Sequence, residues 1–310
     1  MAARERATVA VLGLGPLGAA LAAALRQSGR YGSVTAWDPD ADIAREAQKH
    51  AVADRYVHRV ADAAAQAAAL FVAVRPDQLR DTLAAAGSAV QPGAVVCAVA
   101  QSHEEAMRLA AELLPPTTSF ACGHPVVWQA LEEAPAAGAA LFRGATFCLS
   151  PAPSAHPDAI GYLTGVAAEL GMETLFLDPR EHDALFGAVG QLPGLLAAVL
   201  LELLTAQPSW REMARLAGAV FREGTALVET EPARQQALLA AGREHMGRWL
   251  EALIERLGAL REALREGHEP ADLFEHAAAA RARWLHERRQ PPEAADLPKL
   301  PELPKRRLLL

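Results

Sequence analysis

Residues 8–12, Thr-Val-Ala-Val-Leu, form a short apolar run that leads into Gly13-Leu14-Gly15-Pro16-Leu17-Gly18 and then into an alanine-rich helical stretch at 19–26. The order is strand, glycine turn, helix, and it narrows the possible folds sharply. In a dinucleotide-binding turn the first glycine makes the tight bend. The second lets the backbone approach a pyrophosphate, and the third lets helix and strand pack closely. The phosphates then sit on the helix N-terminus. Pro16 suits a first helical turn, which needs no amide hydrogen. A second apolar run, 33–37, ends at Asp38, twenty residues past Gly18. A carboxylate there accepts hydrogen bonds from the adenosine ribose 2′-hydroxyl and repels a 2′-phosphate, so the expected cofactor is NAD rather than NADP. A purely structural glycine turn is the alternative, and the full order of strand, turn, helix, strand and acid disfavours it.

Apolar runs alternate with helical segments as far as Asp178. Further strands are expected at 54–57, 70–74, 94–99, 119–122, 145–149 and 174–177, with helices at 60–68, 78–86 and 102–114. Ser102-His103-Glu104-Glu105 has the spacing of a capping box, which starts the last of these helices. The alternation implies an α/β fold with a doubly wound, mostly parallel Rossmann sheet covered on both faces, spanning residues 1–178. Val74-Arg75-Pro76, closing the fourth strand, are candidate cofactor contacts. Arg75 is expected near the nicotinamide ribose, with an ordinary surface arginine as the alternative.

Beyond Pro179 the β pattern stops. Residues 182–204, 208–228, 233–267 and 270–288 have helical periodicity, with Leu250, Leu253, Ile254, Leu257, Leu260 and Leu264 on one stripe. An all-helical substrate and dimerisation domain is expected over 179–290, and an extended or disordered, proline-spaced tail over 291–310. The stripe and the long uncharged helix argue for a homodimer, since one helical layer hardly covers both. Residues 184–201 carry no charge and are long enough for a membrane span, but Gly187, Gly190, Gln191, Pro193 and Gly194 interrupt them. A buried central helix of a soluble domain is the expected reading. The apolar stretch after Arg4 and Arg6 is explained by the glycine pattern and not by export.

With 310 residues, 51% of them hydrophobic, the chain can bury a large core. A net charge of −7 argues against nucleic acid or an anionic membrane as partner. Cys97, Cys122 and Cys148 all lie in apolar runs, and their scatter fits neither a disulfide framework nor a metal site. They read as reduced core residues of a cytoplasmic protein without a metal.

Gly123-His124-Pro125 closes the sixth strand. Ligands of open α/β sheets bind beyond the carboxyl ends of the strands, so His124 stands on the same edge as the glycine loop. A neutral imidazole there can accept a proton; the alternative is a histidine that caps the next turn. Arg143 and Arg222 are candidate carboxylate clamps, because a guanidinium fork matches a carboxylate. His182 opens a helix beside Asp183 and is expected only to cap it.

Together with the glycine fingerprint, Gly123-His124-Pro125, Leu141-Phe142-Arg143-Gly144, Glu181-His182-Asp183 and Gln191-Leu192-Pro193 resemble the prephenate and arogenate dehydrogenases of tyrosine biosynthesis. Residues 243–284 are similar to the long helices of that family's dimer domain. The resemblance implies an NAD(P)-dependent oxidative decarboxylation of a hydroxycyclohexadiene acid, with a histidine at the position of His124 accepting the hydroxyl proton. It also sets out departures. Where family members carry Asp-x-x-Ser-x-Lys, this chain has Ala98, Gln101 and His103; where they carry Ser-His-Leu-Pro-His, it has Gly190-Gln191-Leu192-Pro193-Gly194. Gln101 and Gln191 thereby become candidate catalytic residues beside His124, and the substrate-binding arginine expected after Phe221-Arg222-Glu223 falls on Ala226. Two other readings remain open. One is a reductase of imines or pyrroline carboxylates; the β-hydroxyacid dehydrogenases need a helical lysine, and the lysines here are Lys49, Lys299 and Lys305. The other is an NAD-binding sensor without catalysis.

Overall fold

The computed structural model describes residues 7–128, 138–228 and 232–289. The tail at 291–310, with Lys299 and Lys305, lies outside the described residues. The described chain divides into two compact units, with the boundary between Asp183 and Ala184.

In the first unit, β1 (Thr8–Leu12), β2 (Ser33–Trp37), β3 (Arg55–Tyr56), β4 (Ala69–Val72), β5 (Val95–Val99), β6 (Ser119–Val126), β7 (Thr146–Pro151) and β8 (Glu173–Phe176) form one sheet in the order β3-β2-β1-β4-β5-β6-β7-β8. Every neighbouring pair is parallel except β6 with β7. The mostly parallel sheet read from the sequence is therefore present.

Alternate residues of β1 feed two cores. Val9 and Val11 pack with α1 (Pro16–Gln27) and α6 (Pro157–Glu169), while Ala10 and Leu12 pack with α3 (Val60–Ala64), α4 (Pro76–Gly87) and α5 (His103–Leu113). Both faces are covered, which is why the strands read as unbroken apolar runs. The short α2 (Ala41–Lys49) lies after β2 and is capped by Asp40, whose carboxylate accepts from the amides of Asp42 and Ile43. Cys97, Cys122 and Cys148 are free and buried. Burial pushes the Cys97 thiol up to about 12, so it is an inert core residue.

Two features of this unit depart from the sequence reading. The sixth strand does not stop at Cys122 but runs through Gly123-His124-Pro125 to Val126. Antiparallel β7 continues the pairing, matching His124 with Cys148 and Pro125 with Phe147. On the other flank β5 has ended at Val99, which pairs with Gly123, so Pro125 has no β5 partner to deprive of an amide. The unit also extends to Asp183, five residues past the expected boundary at 178, because His182 and Asp183 are bonded into it.

The second unit is helical among its described residues. A helix that begins as α7 (Pro179–Phe186) passes through a π-helical turn, Gly187–Gln191, into α8 (Leu192–Thr205). It is long and apolar enough to cross a membrane by length and composition, yet only 11% of its most apolar window is buried within the chain. The expectation of a buried central helix is thus corrected: Leu185, Val189, Leu196, Val199, Leu200 and Leu203 are exposed in the single chain. Two long periodic stretches are also broken. α9 (Trp210–Leu216) and α10 (Ala219–Thr225) separate at Ala217 and Gly218, and α11 (Pro232–Ala241) and α12 (Arg243–Arg265) separate at Gly242, with α13 (Ala271–Arg289) last. Glycine weakens a helix at each of these breaks.

Candidate active site

The glycine loop is built by close approach. Gly13 has φ +100, and a Cβ on it would meet the Ala73 carbonyl oxygen at 2.4 Å. A Cβ on Gly18 would meet the Gly13 carbonyl oxygen at 2.0 Å, whereas one on Gly15 would meet nothing within 4 Å. The first and third glycines serve internal packing, and the second leaves space over the start of α1. No side chain caps that helix end, and Pro16 occupies its first turn. At the end of β2, Asp38 accepts hydrogen bonds from the amides of Leu14 and Asp40. Burial pushes its carboxyl up, against the pull of those two amides and the nearby Arg75. An uncapped helix N-terminus, an open Gly15 and a carboxylate on the next strand fit a nucleotide pyrophosphate and ribose. Half-buried Leu17 and Val74 and buried Leu14 complete the loop's surroundings. Exposed Arg75 precedes α4, which starts at Pro76, and pairs with Asp77 at 3.1 Å.

Three strands along the sheet from β1, about 14 Å by strand spacing, a second cluster forms on the same carboxyl edge. His124 is 5% exposed, one residue past the level at which β5 ends. Its Nδ1 lies 3.0 Å from Nε2 of His182, and Nδ1 of His182 lies 2.9 Å from Oδ1 of Asp183. Asp183 also accepts from the His103 amide (2.7 Å), the Glu104 amide (3.0 Å) and the Ser102 hydroxyl (3.2 Å). Two amides and a hydroxyl thus donate to both of its oxygens, so the group acts here as an acceptor. It sits on the N-terminus of α5, where the helix dipole favours a negative charge.

These contacts assign the ring protons. Asp183 only accepts, so His182 carries its proton on Nδ1 and presents the lone pair of Nε2. His124 then donates from Nδ1, and its Nε2 holds the lone pair. A third imidazole lies against this pair: His103 stacks on His182, with ring centroids 3.6 Å apart and planes 5° from parallel. The Ser150 hydroxyl donates to the Leu177 carbonyl and so accepts from Nδ1–H of His103. Burial pushes His103 down to about 2, with His182 and His124 adding to the effect, so it is neutral.

The buried neutral His103 makes the fold acid-sensitive. Its folded pKa lies below the ordinary 6.5, so the unfolded chain binds a proton that the folded chain refuses. Its contribution is full above pH 6.5 and is lost as pH falls through the window from 6.5 towards 2. His103→Phe keeps a flat ring against His182 and is expected to make the fall of stability with acid shallower by about 1.4 kcal/mol per pH unit. Equal slopes in denaturant titrations of wild type and variant at several pH values would refute this.

Residues 21–175 match the family described as prephenate dehydrogenase, nucleotide-binding domain, and 178–278 match its dimerization domain. The chain belongs to the prephenate dehydrogenase family. A prephenate dehydrogenase of Bacillus subtilis is 21% identical over 276 residues, 88% of this chain and 74% of that protein. The crystal structure of the prephenate dehydrogenase of Aquifex aeolicus, in complex with hydroxyphenyl propionate and NAD+, is similar at a TM-score of 0.78. It is 19% identical and covers 91% of this chain and 98% of its own. The arogenate dehydrogenase of Synechocystis is similar at 0.73 and 21% identity, over 89% and 99% of the two chains. Family membership makes this an oxidoreductase with the Rossmann and helical halves described above.

Against that family frame, the sequence-derived candidates separate. Gln101 lies half-buried directly before Ser102 and the cluster at the start of α5. Arg143 is exposed in the turn before β7, packed on Gly171, and its side chain has no hydrogen bond to the histidine cluster among the described residues. Gln191 and Arg222 belong to the helical unit; Arg222 is exposed and 3.8 Å from Glu223. Two expectations are corrected. His182 lies within the first turns of α7, bonded to His124, and does not merely cap its helix. The capping box of Ser102 and Glu105 does not form, since Ser102 makes no side-chain cap and Asp183 takes that place from 80 residues away. The sequence alone does not single out Asp183 or the neutral His103 as a site residue. Glu181-His182-Asp183, three polar residues together at a domain junction, is the local signal for Asp183, and His103 stands where family members carry a lysine. Among the described residues, no group of three or more His, Cys, Asp or Glu is placed to hold a metal ion.

Proposed function

We propose that this protein is an NAD-dependent dehydrogenase that oxidatively decarboxylates a hydroxycyclohexadiene acid of the prephenate or arogenate type, in the cytoplasm, for tyrosine biosynthesis. The observation that carries the reading is His124, buried on the sheet's carboxyl edge and bonded to His182, which is bonded in turn to Asp183. When bound, NAD supplies the acceptor for the hydride from the ring carbon that bears the hydroxyl. His124 Nε2 takes the hydroxyl proton as the carbon–oxygen double bond forms. Loss of carbon dioxide then sends an electron pair through the ring to that oxygen, which recovers its proton from His124 as the ring becomes aromatic. The base is thus reset within one turnover. Gln101, beside the α5 N-terminus, is the nearest replacement for the family's serine, and Arg143, Arg222 and Gln191 are the candidates to hold the substrate's polar groups. Prephenate and arogenate are each assayed with NAD for reduced cofactor and carbon dioxide in equal amounts. Binding of NAD with no turnover of either substrate would defeat the reading.

Gly13 to Gly18 with Asp38, and Val74, Arg75 and Pro76 behind them, are the proposed cofactor contacts. NAD is expected to bind at least about tenfold more tightly than NADP, because Asp38 accepts from a ribose hydroxyl and repels a phosphate. Asp38→Ala narrows that ratio. Equal affinities in wild-type titrations would sink the assignment.

The match of 178–278 to a dimerization domain, the exposed face of α8 and the exposed Ile254, Leu257 and Leu264 of α12 support a homodimer through the helical unit. A second copy, rather than lipid or nucleic acid, is the proposed cover for this surface; the net charge of −7 suits neither an anionic membrane nor a phosphate backbone. Sedimentation at micromolar concentration is expected to give twice 32.9 kDa, and a stable monomer would overturn this. Three free, buried cysteines suit the reducing cytoplasm.

A further inference from the structure

We propose that His182 and Asp183 carry the proton of the reaction one step beyond the base: as His124 Nε2 takes the substrate's hydroxyl proton, Nδ1–H of His124 passes to Nε2 of His182, which becomes a cation held by Asp183. This rests on the reading of His124 as the base and adds where the charge is stored. The step balances. One proton enters at Nε2 of His124 and a second leaves its Nδ1, so His124 ends neutral in its other tautomer. When the product oxygen recovers its proton, both transfers reverse.

The geometry favours His182 as the resting place of the charge. The transfer distance is 3.0 Å, and the carboxylate stands 2.9 Å beyond it. His182 is 2% exposed, so its attraction to Asp183 is weakly screened. The carboxylate does not take the proton itself. Two amides and a hydroxyl at the start of α5 already donate to both of its oxygens. His103, stacked at 3.6 Å, offers the face of a neutral ring to the cation and competes for no proton. Among the described residues, His103 from α5 and Asp183 from α7 face the pair, and Cys122 of β6, whose thiol is pushed up by burial, lies near Asp183.

His124 is therefore the catalytic base and His182 a positioning residue whose role includes the proton. The first test uses wild-type protein in mixtures of light and heavy water. Two protons moving together give a curved dependence of kcat on the deuterium fraction, and a straight line overturns the relay. His182→Gln keeps an acceptor for Nδ1–H of His124 but cannot store a proton. It is expected to lower kcat roughly 10- to 100-fold, a fraction of what a general base supplies. It should straighten the isotope curve and change the acid limb of the kcat/KM profile. NAD affinity stays as in wild type. A variant with wild-type kcat and pH profile overturns the proposal. Independently of turnover, nitrogen NMR of the histidine rings in the free protein should find His124 protonated on Nδ1, and the Nε2–H form would overturn the assignment. His124→Asn is measured in parallel: full activity there removes the base itself, whereas loss there with a straight wild-type isotope line removes only the relay.

Discussion

His124→Asn is expected to lower kcat by roughly 10²–10⁴ while NAD affinity barely changes, the loss that follows removal of a general base. The asparagine amide can still donate towards Nε2 of His182, so the buried pair keeps a hydrogen bond and the fold should survive. It cannot accept the hydroxyl proton at neutral pH. The glycine loop lies three strands away in the sheet and Asp38 four, and both feel little of the change. The loss should therefore appear in kcat and not in the cofactor's Kd. Steady-state rates and a fluorescence titration with NAD separate the two quantities. If the variant turns over at the wild-type rate, the base lies elsewhere and the tautomer assignment of the whole cluster loses its purpose.

How much of this site can be read from the sequence depends on how local the signal is. The glycine loop is fully legible because its reasons lie within a few residues. Gly13 and Gly18 are forced because a Cβ on them would lie 2.4 and 2.0 Å from a backbone carbonyl oxygen, and Asp38 directly follows the very next strand. The strand alternation is legible too, since a parallel sheet covered on both faces leaves unbroken apolar runs. His124 is visible from its place on the sixth strand, although the antiparallel partner that lengthens β6 to Val126 is not. His182 and Asp183 are a different matter. Their partners lie 58 and 80 residues away in the chain, and only the folded sheet brings α5, β6 and α7 to one edge. Ser102 with Glu105 has the spacing of a local cap, but a carboxylate from α7 competes for the same amides and, once ionised and buried, outbids a neutral hydroxyl. The exposed apolar face of α8 shows the limit on the other side. Hydropathy calls for burial, and the single chain does not supply it, so periodicity alone cannot say what covers a helix.

The same competition sets the largest effect expected on stability. Asp183→Ala removes the acceptor for four donors at once: Nδ1–H of His182, the hydroxyl of Ser102 and the amides of His103 and Glu104. A buried donor left without a partner costs about 1–3 kcal/mol, and loss of a helix cap about 0.5–2 kcal/mol. Water can reach the half-buried Ser102 but not the buried His103 and His182, so part of the cost is recovered and the rest remains. A net loss of about 3–5 kcal/mol follows, and for a unit of this size it lowers Tm by roughly 10 °C. Ser102→Ala is the opposing case. If Asp183 is the cap, removing the serine hydroxyl deletes one partly exposed bond and costs under about 1 kcal/mol. Calorimetry on the two variants decides between the caps. A large loss for Ser102→Ala with a small one for Asp183→Ala would restore the local capping box and detach Asp183 from α5. The expected order, with kcat falling in the Asp183 variant as His182 loses its carboxylate partner, would tie the stability of α5 to the chemistry proposed at His124 through one carboxylate.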